Sequence, residues 1–333
     1  MFQTELIIFL QSFRNDFLTF FMKAITSLGY EPFYVAVCII TLFGVNFRKG
    51  FILTHFIIWI GIVNSILKHF FGLPRPLHVD TNVLRFYGNY PQFDFVSKGA
   101  KSFFQLFDKN VIDHIRNYAK GHDFSYGFPS GHVMSTTSLW VSLFLLFKKK
   151  IIIIVTPIII LFMAISRMYL GRHFLGDVIG GAVFGIIAVF IFYFLFFKFN
   201  FIEIIFNKEI YLIKSKIKNL ILFLYLIIIP FILLFFYTEE VTYLLAVNLG
   251  FYLIMLKGLP DDQGTILKRA LRVIIAFFSY SLIEFLLSGL INLSNINDDL
   301  LIIEIIEDFI PVFSAIFLAY YICLKTELYK LEI

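Results

Sequence analysis

The sequence predicts an all-α, polytopic membrane helical bundle, and three observations carry that reading. Hydrophobic residues make up 59% of the 333, with 45 phenylalanines among them. Mean hydropathy is +0.86, so the chain holds more apolar surface than a soluble core of this length can hide. Runs such as 151–166, 178–197 and 219–237 are apolar on every face and approach the about 20 residues that cross about 30 Å of hydrocarbon. No stretch alternates as the short strands of an outer-membrane barrel do. No cleavable signal with a small-residue processing site is recognised, so insertion is expected to rely on the spanning helices themselves.

The elements follow in order. Residues 4–29 place Leu6, Leu10, Phe13, Phe17, Phe20 and Phe21 on one helical face and Ser12, Asp16, Thr19, Lys23 and Thr26 on the other, the pattern of an amphipathic helix lying along the interface. Spanning segments are expected at 31–46, 51–72, 130–147, 151–168, 174–197, 218–237, 240–257, 270–290 and 307–324. This divides the chain into an N-terminal amphipathic helix (1–30), a core (31–197) with a cap insertion (77–127), and a transmembrane extension (198–333). The cap is too polar to span and long for a structureless loop. Cys38 and Cys323 lie in apolar segments and read as small buried hydrophobes. Gly176, Gly180, Gly181 and Gly185 fit close packing between helices.

Short connections rich in Lys and Arg face the cytoplasm. Arg48 and Lys49, Lys148 to Lys150, the lysines from 198 to 218, and Lys257 with Lys268, Arg269 and Arg272 mark four such connections. The opposite connections, at 237–240 and 291–307, carry acids and almost no base. The cap and three strings of polar residues fall on this second side, which in a bacterium is the periplasm or exterior.

Those strings are KHFFGLPRP at 68–76, FPSGH at 128–132 and SRMYLGRHFLGD at 166–177. Lys68 by itself is explained by snorkelling at a helix end. Arg75 stands between Pro74 and Pro76, which restrict the backbone that presents a guanidinium able to grip phosphate oxygens in pairs. Pro129 is placed where a helix begins, with Ser130, Gly131 and His132 in its first turn. Free backbone donors there form an anion cup with a histidine on its rim; the alternative is a capped helix whose His132 bonds interfacial water. Arg167 ends one helix, and His173 and Asp177, four apart, share a face of the next. A carboxylate below an imidazole holds its tautomer and leaves the other nitrogen free to attack phosphorus. Arg172 beside them reads as a surface residue, and His69, His78, His122 and Asp123 match no spacing. Together the strings supply fixed charge, anion donors, an acid, a nucleophile and its orienter, the set that phosphoryl transfer needs.

In order and spacing, the three strings resemble the signature of the type 2 phosphatidic acid phosphatase superfamily of membrane lipid phosphatases. That signature is Lys, six residues, Arg-Pro; then Pro-Ser-Gly-His; then Ser-Arg, five residues, His, three residues, Asp. It is met by Lys68, Arg75 and Pro76, by Pro129, Ser130, Gly131 and His132, and by Ser166, Arg167, His173 and Asp177. The resemblance covers about residues 30–195 and does not reach the helices after 198. It implies a six-helix phosphatase-type core, a small extracytoplasmic cap, and a two-step hydrolysis through a phosphohistidine that needs no metal or cofactor. His173 would attack, Asp177 orient it and His132 protonate the leaving oxygen. Lys68, Arg75, Ser130, Gly131 and Arg167 would hold the phosphoryl oxygens, with Pro76, Pro129 and Ser166 completing the motif.

The expected partner is a lipid phosphate or diphosphate in the bilayer of a bacterial inner membrane, with no nucleic acid. Transfer to an acceptor other than water is an alternative within the superfamily. The C-terminal helices and the cap are expected to stabilise the bundle or dimerise it into a homodimer, the alternative being that they serve such an acceptor. An intramembrane serine protease using Ser130 and His173 has no use for three converging cations, and a transporter of phosphorylated lipid would survive loss of His173. If the sidedness is right, a cysteine placed within 80–120 reacts with a membrane-impermeant thiol reagent from outside the cell, and labelling only from the cytoplasmic side inverts the topology.

Overall fold

The protein is described by a computed structural model that covers residues 1–86, 99–120, 122, 124–198, 201–207, 216–236, 238–294 and 300–331. Parts of the cap (87–98, 121, 123), Lys208, Lys214 and parts of the 237–240 and 291–307 connections lie outside these residues. Among the described residues there is no strand, only two isolated bridges, Gln3 with Gly99 and Pro260 with Leu331. The helices are α1 (Glu5–Ser12), α2 (Asp16–Ser27), α3 (Glu31–Ile39), α4 (Phe47–Phe71), the short α5 (Pro76–Val79), α6 (Lys109–Ala119), α7 (Gly131–Phe147), α8 (Lys150–Tyr169), α9 (Leu175–Tyr193) and α10 (Phe201–Ile205). After these come α11 (Lys216–Phe223), α12 (Ile229–Leu233), α13 (Thr238–Lys257), α14 (Ile266–Ser294), α15 (Leu301–Phe313) and α16 (Ala319–Lys325).

Five stretches are long and apolar enough to cross a membrane: Phe47–Val79, Lys150–Tyr169, Leu175–Lys198, Glu239–Lys257 and Ile266–Ser294. A sixth arises if Asp16–Ser27 and Glu31–Val45, bent by 50°, count as one broken span. The chain is a helical membrane protein of the class expected.

Residues 4–29 form two helices where one was expected. Asn15 ends the first run, because its side chain accepts the Leu18 N–H at 2.8 Å and starts α2 as an N-cap. The orientation of this segment also differs from a helix resting on a water interface. Several of its polar side chains point into the protein, while Ser12 and Asp16 stay exposed: Gln11 donates to the Tyr169 carbonyl at 2.9 Å, Thr19 pairs with the Tyr169 hydroxyl at 2.7 Å, and Thr26 is fully buried. Phe9, Phe13, Phe17 and Phe20 point outward. In hydrocarbon the outer face is the apolar one, and polar groups find partners only inside the protein.

The chain forms two compact units. The first comprises Met1–Tyr34 and Val63–Ile191 and contains all three polar strings. Here α1, α2 and α7 pack against α8, over a core that includes Ile7, Leu77, Val133, Met163, Phe174 and Val178. The second comprises Val35–Ile62 and Phe192–Ile333, where α15 packs against α13 and α14.

The glycines of α9 let it approach the start of α7. A Cβ on Gly181 would lie 2.6 Å from the Ser130 carbonyl oxygen, and one on Gly185 2.8 Å from that of Met134. Both obstacles are backbone, so a methyl group there must push the helices apart. Gly181→Ala is expected to destabilise the protein by about 1–3 kcal/mol. Gly289→Ala, whose Cβ meets nothing within 4 Å, should be neutral or slightly stabilising in the same equilibrium unfolding experiment.

Candidate active site

The second string folds as a helix start, one residue later than expected. Ser130 is the N-cap of α7, with φ −70° and ψ 110°, and Gly131 is its first helical residue, which leaves Pro129 outside the helix. An N-cap serine ordinarily turns its hydroxyl back onto the first turn. Ser130 does not: its Oγ is buried and has no hydrogen-bond partner. Its backbone N–H instead donates to the Asp177 carbonyl at 3.0 Å, which joins the second string to the third. The first-turn backbone donors and this hydroxyl remain as an anion cup at the positive end of α7. A Ser130–His173 hydrogen bond of the kind a serine protease uses is not made.

His132 stands on the rim of the cup. Its ring meets Tyr30 edge-on, with centroids 4.6 Å apart at 82°, and its Nε2 is buried without a hydrogen-bond partner. Gly29 permits this approach, since a Cβ there would lie 2.6 Å from His132 Cδ2. Asn64 lies against Gly131, its amide nitrogen 2.9 Å from where a Cβ would stand.

The cations come from three elements. Arg75, buried between its two prolines, donates through Nε to the Ser125 carbonyl at 2.9 Å and through Nη2 to the Ser125 hydroxyl at 2.7 Å. Lys68, near the end of α4, reaches the same hydroxyl at 3.4 Å. The Arg75 backbone N–H donates to Nδ1 of buried His78 at 3.3 Å. Arg167, at the end of α8 and 4% exposed, donates through Nη1 to Thr26 at 2.8 Å, while its Nε is buried without a partner. Arg172, expected at the surface, is buried instead, its backbone N–H bonded to the Arg167 carbonyl at 3.0 Å. That turn closes the C-terminal end of α8 and carries Arg172 into the protein. Ser166 is buried and bonds back to the Met163 carbonyl at 2.9 Å, so its hydroxyl serves its own helix.

His173 and Asp177 are both buried. Asp177 Oδ2 accepts the Phe174 N–H at 2.8 Å and faces His173 Nδ1 at 3.4 Å; Oδ1 is buried with no partner. The carboxylate therefore assigns the proton to Nδ1 and leaves the Nε2 lone pair free. Burial, and after it the charges of Arg75, Arg167 and Lys68, hold the His173 imidazole well below the ordinary histidine range. It is a neutral imidazole at pH 7.

Lys68, Arg75 and Arg167 thus act electrostatically on His173, and the neutral side chains of Ser125 and Thr26 are among their hydrogen-bond partners. Guanidiniums, a hydroxyl and a helix start are the donor types that a tetrahedral anion calls for. Among the described residues no group of three or more His, Cys, Asp or Glu is placed to hold a metal ion. Sequence reasoning missed Ser125, Thr26, Tyr30, Asn64 and His78. Only Thr26 had left a signal, as part of the polar face of its helix.

Residues 49–201 match the model of the PAP2 superfamily. Over 79 residues, 21% of this chain and 39% of the relative, the sequence is 35% identical to phosphatidylglycerophosphatase B of Bacillus subtilis. The chain therefore spans about two fifths of that relative's length. Over 201 residues, 58% of this chain and 76% of the relative, it is 25% identical to the lipid A 4'-phosphatase of Bacteroides thetaiotaomicron. Two crystal structures are also similar. One is a transmembrane PAP2 type phosphatidylglycerolphosphate phosphatase from Bacillus subtilis (TM-score 0.39, 24% identity, 57% of this chain and 82% of that one). The other is LpxE of Aquifex aeolicus (TM-score 0.40, 22% identity, 57% and 94%). The family model spans all of the second and third strings and, in the first, Lys68, Arg75 and Pro76, so the part of the chain that carries them is similar to the PAP2 superfamily.

Proposed function

We propose that this protein is an integral-membrane lipid phosphatase that removes a phosphoryl group from a lipid phosphate or diphosphate on the extracytoplasmic side of a bacterial inner membrane. The observation that carries the reading is the buried His173–Asp177 pair lying under the charge of Lys68, Arg75 and Arg167. The two curated relatives act, by their names, on phosphatidylglycerophosphate and on the 4'-phosphate of lipid A, so a phosphate monoester on a lipid head group is the substrate class.

The reaction runs in two displacements. The substrate phosphoryl group takes the cup at the start of α7, with its oxygens bonded by the Ser130 hydroxyl, first-turn backbone donors and the guanidiniums of Arg75 and Arg167. His173 Nε2 attacks phosphorus as the bond to the lipid oxygen breaks, and His132 gives that oxygen its proton. Asp177 accepts the Nδ1 hydrogen and stabilises the positive ring. Water then attacks the phosphohistidine, losing a proton to His132, and the N–P bond breaks to release inorganic phosphate and restore His173. Positioned positive groups are the main lever here, because charge spreads over three equatorial oxygens in the transition state. Cations and hydroxyls supply that stabilisation, so no step needs a metal ion.

Purified protein in lipid vesicles, offered a panel of lipid phosphates and diphosphates, is expected to release inorganic phosphate. His173→Ala should abolish release and covalent labelling by radioactive phosphate, and hydrolysis retained by this variant removes the assigned nucleophile. His132→Ala should slow turnover by about 10²–10⁴-fold, the usual contribution of a general acid. Chelation by EDTA is expected to leave the rate unchanged, and an EDTA-inactivated enzyme restored by zinc or magnesium contradicts the metal-free route.

A further inference from the structure

In the second unit, α14 buries Arg272, Ala276 and Ser279 on one side and turns Ile274, Phe278, Phe285 and Leu290 outward. Among these outward apolar side chains runs a polar row, Ser281, Glu284, Ser288 and Asn292, every member exposed. Steps of three, four and four residues put the row on one side of the helix. The apolar part of α14 extends from Val273 to Ile291. Glu284 sits two residues from its middle, about 3 Å along the axis.

Among the described residues, no hydrogen bond or ion pair engages Glu284. At that depth lipid tails offer nothing to a carboxyl group, and polar residues within a membrane face protein or a water-filled cavity. The row therefore calls for a covering surface that brings donors to mid-membrane depth. A second copy of the chain meets that demand with the row itself. Copies inserted with one topology are related by a two-fold axis only if it runs along the membrane normal, so α14 meets its counterpart in parallel, depth for depth. The hydroxyls of Ser281 and Ser288 on one helix, about 4.5 and 6 Å along the axis from Glu284, then lie within reach of the Glu284 carboxyl on the other, and reciprocally, while Asn292 meets its own counterpart. Steps of three, four and four cover eleven residues in three turns, the spacing of a right-handed helix pair, and serine at the seam lets the backbones come close.

We propose that α14 pairs inside the membrane with α14 of a second copy of this chain through Ser281, Glu284, Ser288 and Asn292. The pairing is independent of the reaction proposed above.

The test uses the full chain reconstituted in phosphatidylethanolamine and phosphatidylglycerol vesicles and treated with copper–phenanthroline. Native Cys38 and Cys323 are buried, so an introduced cysteine reports by itself. Ser288→Cys is expected to give a covalent dimer in about tenfold higher yield than Leu286→Cys, which is exposed on the same turn but off the row. Adding Glu284→Leu to Ser288→Cys should lower the yield several-fold, and Glu284→Gln should preserve it. Equal yields at 286 and 288, or a yield indifferent to Glu284→Leu, overturn the pairing. So does Ser288→Cys joining only a different polypeptide in native membranes, with no dimer in vesicles of pure protein. If Glu284→Leu lowers the unfolding midpoint and so tests folding instead, the comparison of 286 with 288 decides alone.

Discussion

Asp177 is the point on which the rest of the candidate site depends. Its side chain accepts the Phe174 N–H and faces His173 Nδ1, while its backbone carbonyl takes the Ser130 N–H. One residue thereby aims the histidine and ties the start of α7 to the start of α9. Gly181, one turn further along, keeps the two helices at backbone contact so that the tie can form. A buried carboxyl group calls for donors: Oδ2 has the Phe174 N–H, and Oδ1 has no partner among the described residues. The charges of Arg75 and Lys68 act on it as well, which makes its placement an electrostatic constraint as well as a geometric one.

The cations illustrate a second economy of the fold. Arg75 and Lys68 share the Ser125 hydroxyl, and Arg167 rests on Thr26. A hydroxyl that accepts from a guanidinium orients it without adding a negative charge beside it. A carboxylate in the place of Ser125 would give a tighter pair and a weaker anion receptor. His173 records the result: low dielectric surroundings and net positive neighbours keep the ring neutral, the form that can attack.

The outward faces follow the opposite logic. Phe9, Phe13, Phe17 and Phe20 on the N-terminal helices and the phenylalanines and leucines of α14 stand outside, while polar groups such as Gln11, Thr19 and Thr26 are folded in. Hydrocarbon surroundings reverse the sense in which amphipathic helices are usually read. The polar row of α14 departs from that rule, which is why it calls for a partner.

The fold class was legible in the sequence because it is written in local pattern, and so were the candidate site residues. Hydropathy over about 20 residues marks spanning helices wherever they pack, and Lys68, Arg75, Ser130, His132, Arg167, His173 and Asp177 sit at spacings that helix ends and one helical turn make readable. Tertiary structure alone decided which neutral groups serve them. Ser125, Thr26, Tyr30, Asn64 and His78 act through contacts between segments as far as 141 positions apart, and a lone serine or asparagine carries no periodicity. The same holds for the break at Asn15, the burial of Arg172 and the inward turn of the polar face on α2. Each depends on what lies opposite in space, which the order of residues along a chain does not specify.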